Sequence, residues 1–400
     1  MKIINRDRYL EQLQRVRNTP DIKIITGARR VGKSKLMQLF MEQIRREETK
    51  ANIIFINLQE LENVDLLDYK QLHTYVMDNY KEKVNNYLFI DEIQNCEGFE
   101  KAINSLHTKE IFDIYLTGSN AFLLSSDLAT LFTGRCYRID IYPFSFKEFL
   151  TYFEAVDIDK AFEEYLTIGG FAGCYVYNNL ADKYNYLSNE VYQTIAHRDI
   201  VQKYNIRYVE AFNNIANFLM NNISNLTSSH GIADYQTKSG LKISHNTVSK
   251  FLYYLAHSFV FYKVSRFDLK GKRYLSSDNK YYLVDHALRY AVLGTKDWDY
   301  GRVLENIVYI ELRRRGYEVY IGKLYKKEID FVALKHGEQL YIQVSAFIDE
   351  PNTMNREVDP LLKIRDAYPK IIIARTHQKM YQYEGIRIYD IARWLNEDYE

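Results

Sequence analysis

Over residues 1–150, short apolar runs alternate with stretches whose apolar positions recur every three or four residues. The runs fall at 22–25, 53–56, 87–90, 114–116 and 139–141, each rich in β-branched or aromatic side chains and followed by polar ones. Between the first two runs, Leu36, Leu39, Phe40 and Ile44 repeat at helical spacing. Strands alternating with helices predict a parallel sheet covered on both faces, because a parallel connection needs a crossover long enough to hold a helix.

The pattern then changes. Residues 151–225 read as mostly helical, interrupted by the glycine pair Gly169-Gly170. In 226–295, Ser244 can cap a helix whose Val248, Phe251, Leu252 and Leu255 share one face. Strand-like runs at 259–264 and 280–284 follow, with the basic turn Lys270-Gly271-Lys272-Arg273 between them. A helix followed by a basic-tipped hairpin is the outline of a winged helix. Residues 296–400 form a third α/β stretch: a helix over 303–315, strands at 318–321, 328–334, 340–344 and 371–374, and a last helix near 391–395. His336-Gly337 makes the turn of an antiparallel hairpin there.

Composition narrows the picture. At 400 residues the chain is too long for one ordinary core, and an apolar fraction of 47% can fill several. A formal net charge of +1 excludes a global pull onto nucleic acid, so any such contact needs a local patch. The 36 tyrosines predict many rings buried with the hydroxyl at the surface. Cys96, Cys136 and Cys174 are widely spaced and odd in number, which supports neither a disulfide framework nor a metal knuckle. No apolar run reaches membrane-spanning length, and the early charges argue against a signal peptide, so a cytoplasmic protein without a membrane partner is expected.

The candidate chemistry begins at Gly27-Ala28-Arg29-Arg30-Val31-Gly32-Lys33-Ser34, a complete G-x-x-x-x-G-K-[ST] loop between an apolar strand and an amphipathic helix. Gly27 and Gly32 let backbone N–H groups turn towards phosphate oxygens, and the helix beginning near Lys33 adds its positive end. Lys33 would bridge the β- and γ-phosphates of ATP, and Ser34 would offer a hydroxyl to Mg²⁺. The run 87–90 leads straight into Asp91-Glu92. Asp91 would hold Mg²⁺ and Glu92 would polarise the attacking water, a pair that favours hydrolysis over transfer to a metabolite. Downstream, Ser119 or Asn120 is a γ-phosphate sensor or else part of a strand-ending turn. Arg135, presented after Gly134, is a finger reaching the ATP of a neighbouring copy in a homo-oligomer or else a surface ion pair. Arg29 and Arg30 are further candidates for phosphate or partner contact.

These residues together resemble a family. Residues 25–34, 89–94, 116–119 and 134–135, with 165–170, 198–201, 244–248 and 282–285 outside the first domain, are similar to AAA-type ATPases of bacteria and archaea that carry a C-terminal domain of unknown function. The resemblance covers nearly the whole chain. It implies an α/β protein with an AAA-type P-loop core (1–150), a helical lid or connector (151–225), a winged helix (226–295) and a domain similar to PD-(D/E)XK restriction endonucleases (296–400).

That nuclease fold needs a helix Glu, a strand Asp, and Glu-x-Lys on the next strand, holding Mg²⁺ and a water. Glu305 is the candidate helix acid, with Glu311 as substitute, and Asp330 is the strand acid. The next strand carries Gln343 and Ser345 where Glu and Lys are needed. The expectation is a degenerate site, with Lys323, Lys326 or Lys327 as spatial substitutes if it is active. Ser244, Asn246, Lys250, Lys272 and Arg273 are candidate contacts to double-stranded DNA; the alternative is a module used for packing. Three functions stay open: an ATP-driven switch with an unidentified protein partner, a DNA- or protein-binding adaptor with structural nucleotide, and an ATP-regulated nuclease.

Overall fold

The computed structural model describes residues 2–118, 132, 134–271, 273–294, 299–325 and 327–397, and only the backbone over 273–277. The chain forms two compact units. One is Ile3–Ile141 with His257–Phe259; the other is Met1–Lys2 with Tyr142–Ala256 and Val260–Glu400.

The first unit holds β1 (Ile22–Thr26), β2 (Asn52–Asn57), β3 (Asn86–Asp91), β4 (Asp113–Gly118) and β5 (Cys136–Asp140) in one sheet ordered β2-β3-β4-β1-β5. Every pairing is parallel. Helices α1 (Asp7–Arg15), α2 (Lys33–Glu47), α3 (Tyr69–Asp78) and α4 (Phe99–Thr108) belong to this unit. The five apolar runs therefore became its five strands, the last beginning three residues earlier than the run at 139–141. β1 and β3 are buried along their full length, as strands flanked on both sides must be. Leu36, Met37, Phe40 and Ile44 form the buried stripe of α2. Phe89 and Tyr115 stack at 4.6 Å across β3 and β4.

The second unit starts with helices: α5 (Phe146–Phe153), α6 (Ile158–Ile168), α7 (Leu180–Asn185), the π-wound α8 (Tyr186–Gln202), α9 (Val209–Asn221), α10 (Ser229–Lys238) and α11 (His245–His257). Gly169, at φ +67°, ends α6 against Asp285; a Cβ there would lie 2.1 Å from the Asp285 carboxylate. Gly170 N–H donates to the same carboxylate at 2.6 Å. Ser244 caps α11, accepting from Thr247 N–H at 3.2 Å, and Val248, Phe251, Leu252 and Leu255 are all buried.

After α11 come β6 (Phe261–Asp268), β7 (Arg273–Leu283), α12 (Ala287–Leu293), α13 (Tyr300–Arg314), β8 (Glu318–Leu324), β9 (Lys327–Lys335) and β10 (Glu338–Ser345). The chain closes with α14 (Pro351–Leu362), β11 (Lys370–Ala374), β12 (Tyr381–Tyr383), β13 (Ile386–Asp390) and α15 (Ile391–Asn396). The strands form one mixed sheet ordered β12-β13-β11-β10-β9-β8-β6-β7. His336 (φ +50°) and Gly337 (φ +85°) turn β9 into β10 as the dipeptide predicted. The stretches expected as connector, winged helix and third domain lie in one unit, because β6 pairs in parallel with β8 and extends the C-terminal sheet.

Many tyrosines are half-buried as expected, Tyr137, Tyr152, Tyr184 and Tyr262 among them. Others go deeper: Tyr115, Tyr165, Tyr175 and Tyr282 are buried, and each hydroxyl finds an internal acceptor: Asp113, Phe144 O, Gly169 O and Glu305. A buried phenol is tolerated once its one donor is satisfied. Among the described residues no helix is long and apolar enough to cross a membrane. The three cysteines are free thiols, and burial pushes Cys96 and Cys174 each up to about 12.

Candidate functional site

The loop after β1 lies where the strand order reverses: β1 neighbours both β4 and β5, while the chain leaves β1 for the far edge at β2. Ligands of open α/β sheets bind in the crevice beyond strand ends at such points. Gly27 has φ +148°, and a Cβ there would lie 2.2 Å from the Ile141 carbonyl oxygen. Arg30 (φ +66°) and Gly32 (φ +96°) are left-handed, which winds the loop into a cradle. Ala28 and Val31 are buried, Arg29 and Ser34 half-buried, and Arg30 exposed. Gly32 brings no side-chain cap to α2, whose positive N-terminal end favours an anion. Lys33 is buried and folds back on the loop, donating to the carbonyls of Gly27 and Ala28 at 3.0 Å.

Two strands away, β3 ends in Asp91 and Glu92, which are 3% and 8% exposed. Thr117 on β4, between them and the loop, donates its hydroxyl to the Asp91 carboxylate and accepts from Glu92 N–H at 3.0 Å. Glu92 is left-handed at φ +56°, and its carboxylate accepts from the Gln94 amide. Among the described residues Asp91 forms no ion pair. A buried carboxylate of this kind fits a bound cation, because an unpaired charge is costly in a low-dielectric site. Arg6, buried, donates to Val31 O at 3.1 Å with its guanidinium over Tyr9. Arg135 is exposed, immediately before edge strand β5. Ser119 and Asn120 lie outside the described residues. Thr117, Gln94 and Arg6 escaped the motif reading; Thr117 and Gln94 stand inside the runs 116–119 and 89–94, where no pattern marks them apart.

The residues expected of a degenerate nuclease site do converge in the second unit, with a different lysine. Glu305 on α13 and Asp330 on β9 face Lys280 of β7, whose Nζ lies 2.9 Å from Glu305, 2.6 Å from Glu328 and 4.0 Å from Asp330. Burial holds Glu305 above the ordinary carboxylate range against the pull of Lys280, and raises Asp330 well above it, with Glu305 adding to the effect. Burial works against the Lys280 charge, but Glu305, Asp330 and Glu328 together raise its pKa. Gln343 is turned to other work, accepting from Asp330 N–H at 2.7 Å and donating to Glu357 at 3.0 Å. Ser345 donates to Phe347 O at 2.9 Å. Glu311 instead pairs with Arg314 and Arg315. Of the suggested substitutes, Lys327 pairs with Asp359, Lys323 sits on β8 and Lys326 lies outside the described residues. The divalent metal that an active nuclease would need does not fit: Glu305 is taken up by Lys280 and Tyr282, and Gln343 offers its carbonyl to the backbone.

Ser244, Asn246 and Lys250 are exposed on α11. Lys272 and the side chain of Arg273 lie outside the described residues. Helices α9, α10 and α11 precede the β6–β7 hairpin, and Thr227 bridges Asn279 on the hairpin's outer strand.

Comparison with known proteins agrees with the geometry of the first unit. A family model described as an AAA domain matches residues 19–150, and one described as a domain of unknown function matches 159–299. An uncharacterized protein of Haemophilus influenzae is 39% identical over 402 residues, spanning 98% of each chain. The uncharacterized protein MJ1544 of Methanocaldococcus jannaschii is 30% identical over 368 residues, covering 88% of this chain and 79% of its own. Among solved structures, the Walker-type ATPase PABY2304 of Pyrococcus abyssi superposes with a TM-score of 0.50 at 17% identity, over 72% of this chain and 95% of that one.

Proposed function

The chain belongs to the family of AAA-domain proteins represented by the Haemophilus influenzae and Methanocaldococcus jannaschii relatives, and from that premise we propose that it is an ATP-hydrolysing switch. The observation that carries this is the left-handed phosphate loop after β1 standing two strands from the buried Asp91-Glu92 at the end of β3, with Thr117 of the intervening β4 hydrogen-bonded to both acids.

In this reading the N–H groups of 27–34 and the α2 N-terminus bind the phosphates of the substrate ATP. Lys33 exchanges its two loop carbonyls for phosphate oxygens, which are stronger acceptors because they are charged. Ser34 and Asp91 are the residues that would hold Mg²⁺, whose contribution when bound is to neutralise charge on the phosphates. Glu92 takes the proton of the attacking water once Gln94 and Thr117 have set its position. Arg135, exposed at the sheet edge, suits a finger offered to a second copy. The helical connector and hairpin module receive the change, and α9–α11 with the β6–β7 hairpin follow the order of a winged helix. Exposed Ser244 and Asn246 at the positive end of α11, with Lys250 a turn further along, suit duplex DNA phosphates, an attraction that should fall steeply with salt. The nuclease-like pocket contributes no cleavage chemistry.

Glu92→Gln tests it. Nucleotide affinity should persist while phosphate release falls about 10²–10⁴-fold. Turnover equal to wild type would favour the adaptor, for which nucleotide is only a structural ligand.

A further inference from the structure

We propose that the Lys280 ammonium is the resident cation of the acidic pocket between α13 and β9, standing where a nuclease of the resembled fold holds its divalent metal. The proposal rests on the reading of 296–400 as a nuclease-like domain without nuclease chemistry, and says what replaced that chemistry.

The geometry is that of an ammonium site. Lys280 is 3% exposed, and its Nζ meets Glu305 at 2.9 Å and Glu328 at 2.6 Å, with Asp330 at 4.0 Å. The first two are N–H···O spacings; Mg²⁺ demands oxygens at about 2.0–2.1 Å in near-octahedral array. The other acceptors are also occupied. Tyr282 donates to the same Glu305 oxygen at 2.6 Å, and Val344 N–H donates to Asp330 at 2.8 Å. The two positions that differ from the nuclease pattern complete the change. Gln343 ties Asp330 N–H to Glu357, and Ser345 turns to Phe347 O, so neither adds an anionic ligand or a cation.

A lysine fixed in the chain also needs no free ion in solution. Lys280 comes from β7, whereas Glu305 lies on α13 and Glu328 and Asp330 on β9. The pocket is a charge lock that pins β7 of the hairpin to α13 and β9. Its carboxylates are retained because the lock needs them, and removing either sign alone leaves a buried charge without a partner.

Thermal unfolding of the full, nucleotide-free chain tests this, with Mn²⁺ as the probe. Lys280→Ala should lower the Tm of the second unit by roughly 5–15 °C. Millimolar Mn²⁺ should restore part of that loss in Lys280→Ala but not in Lys280→Ala/Asp330→Asn. Wild type should show no Mn²⁺ shift that depends on Asp330. If Lys280→Ala does not fold, Lys280→Met/Glu305→Gln, which removes one charge of each sign, should fold where Lys280→Met does not. An unchanged Tm in Lys280→Ala, no Mn²⁺ response in that variant, or a double variant no better than Lys280→Met each overturns the charge lock alone. An Asp330-dependent Mn²⁺ shift in wild type overturns it too. If Mg²⁺-dependent DNA cleavage lost in Asp330→Ala accompanies that shift, the reading of an inactive nuclease-like domain falls as well.

Discussion

Glu92 occupies the left-handed region at φ +56°, a conformation that costs an ordinary side chain about 1–3 kcal/mol. Such strain persists where surrounding contacts hold it, and here Thr117 receives the Glu92 N–H while the Gln94 amide holds the carboxylate. The Gln94 carbonyl oxygen is buried without a partner among the described residues. The Gln94 amide fixes the position of the proposed base. Gln94→Ala should lower ATP turnover about 10–100-fold, the scale of a misplaced catalytic group, with nucleotide affinity within about twofold of wild type. Phosphate release and nucleotide titration check it; full turnover would remove Gln94 from the site.

Within the elements, β1 shows how a strand can hide a charge. Lys23 is fully buried mid-strand, and its Nζ meets Asp113 of β4 at 2.5 Å and Thr19 O at 2.6 Å, above the Tyr115 ring. The pair locks β1 against β4 four residues before the phosphate loop begins. Lys23→Met leaves the Asp113 carboxylate without its cation, held only by the neutral donors Tyr115 O–H and Asn18 N–H, and should cost about 3–5 kcal/mol in urea unfolding. Adding Asp113→Asn should recover most of it; a single variant within 1 kcal/mol of wild type, on the order of ordinary surface effects, would show the pair to be dispensable. The pattern of β1 as an apolar run was readable, but its partner was not. Lys23 lies inside the apolar run 22–25 with nothing nearby to mark its partner, because Asp113 is 90 positions away in the chain.

Across the second unit, acidic groups respond to pH in opposite directions. Asp159 on α6 is held down to about 2 by Arg393, with Arg375 assisting against partial burial. A depressed carboxylate stabilises the folded state above its unfolded value near 3.8, and that stabilisation is lost as pH falls through about 2. Glu305 and Asp330 are raised, so their stabilising effect is complete below ordinary carboxylate values and is lost as pH rises through their folded ones. Tm of the second unit plotted against pH should fall on the acid side below about pH 4, and Asp159→Asn should remove part of that fall. An acid limb identical in Asp159→Asn would mean that the Arg375–Arg393 cluster does not depend on this carboxylate.

The features legible along the chain are local in origin. The loop 27–34, the Asp91-Glu92 pair, the five strands of the first unit, the Ser244 cap and the His336-Gly337 turn each depend on residues a few positions apart, so their chemistry is written contiguously. Short β12 and β13 and the helix α14 carried too little periodicity to be seen. Long-range packing set the strand order that places Thr117 between the loop and the acids, and the joining of β6 to the C-terminal sheet. It also decided the arrival of Lys280, 50 positions before Asp330, in a pocket where three lysines nearer in sequence had seemed the better candidates. Strand pairing brings distant side chains to one face according to total burial and charge balance, quantities that no window of neighbouring residues contains.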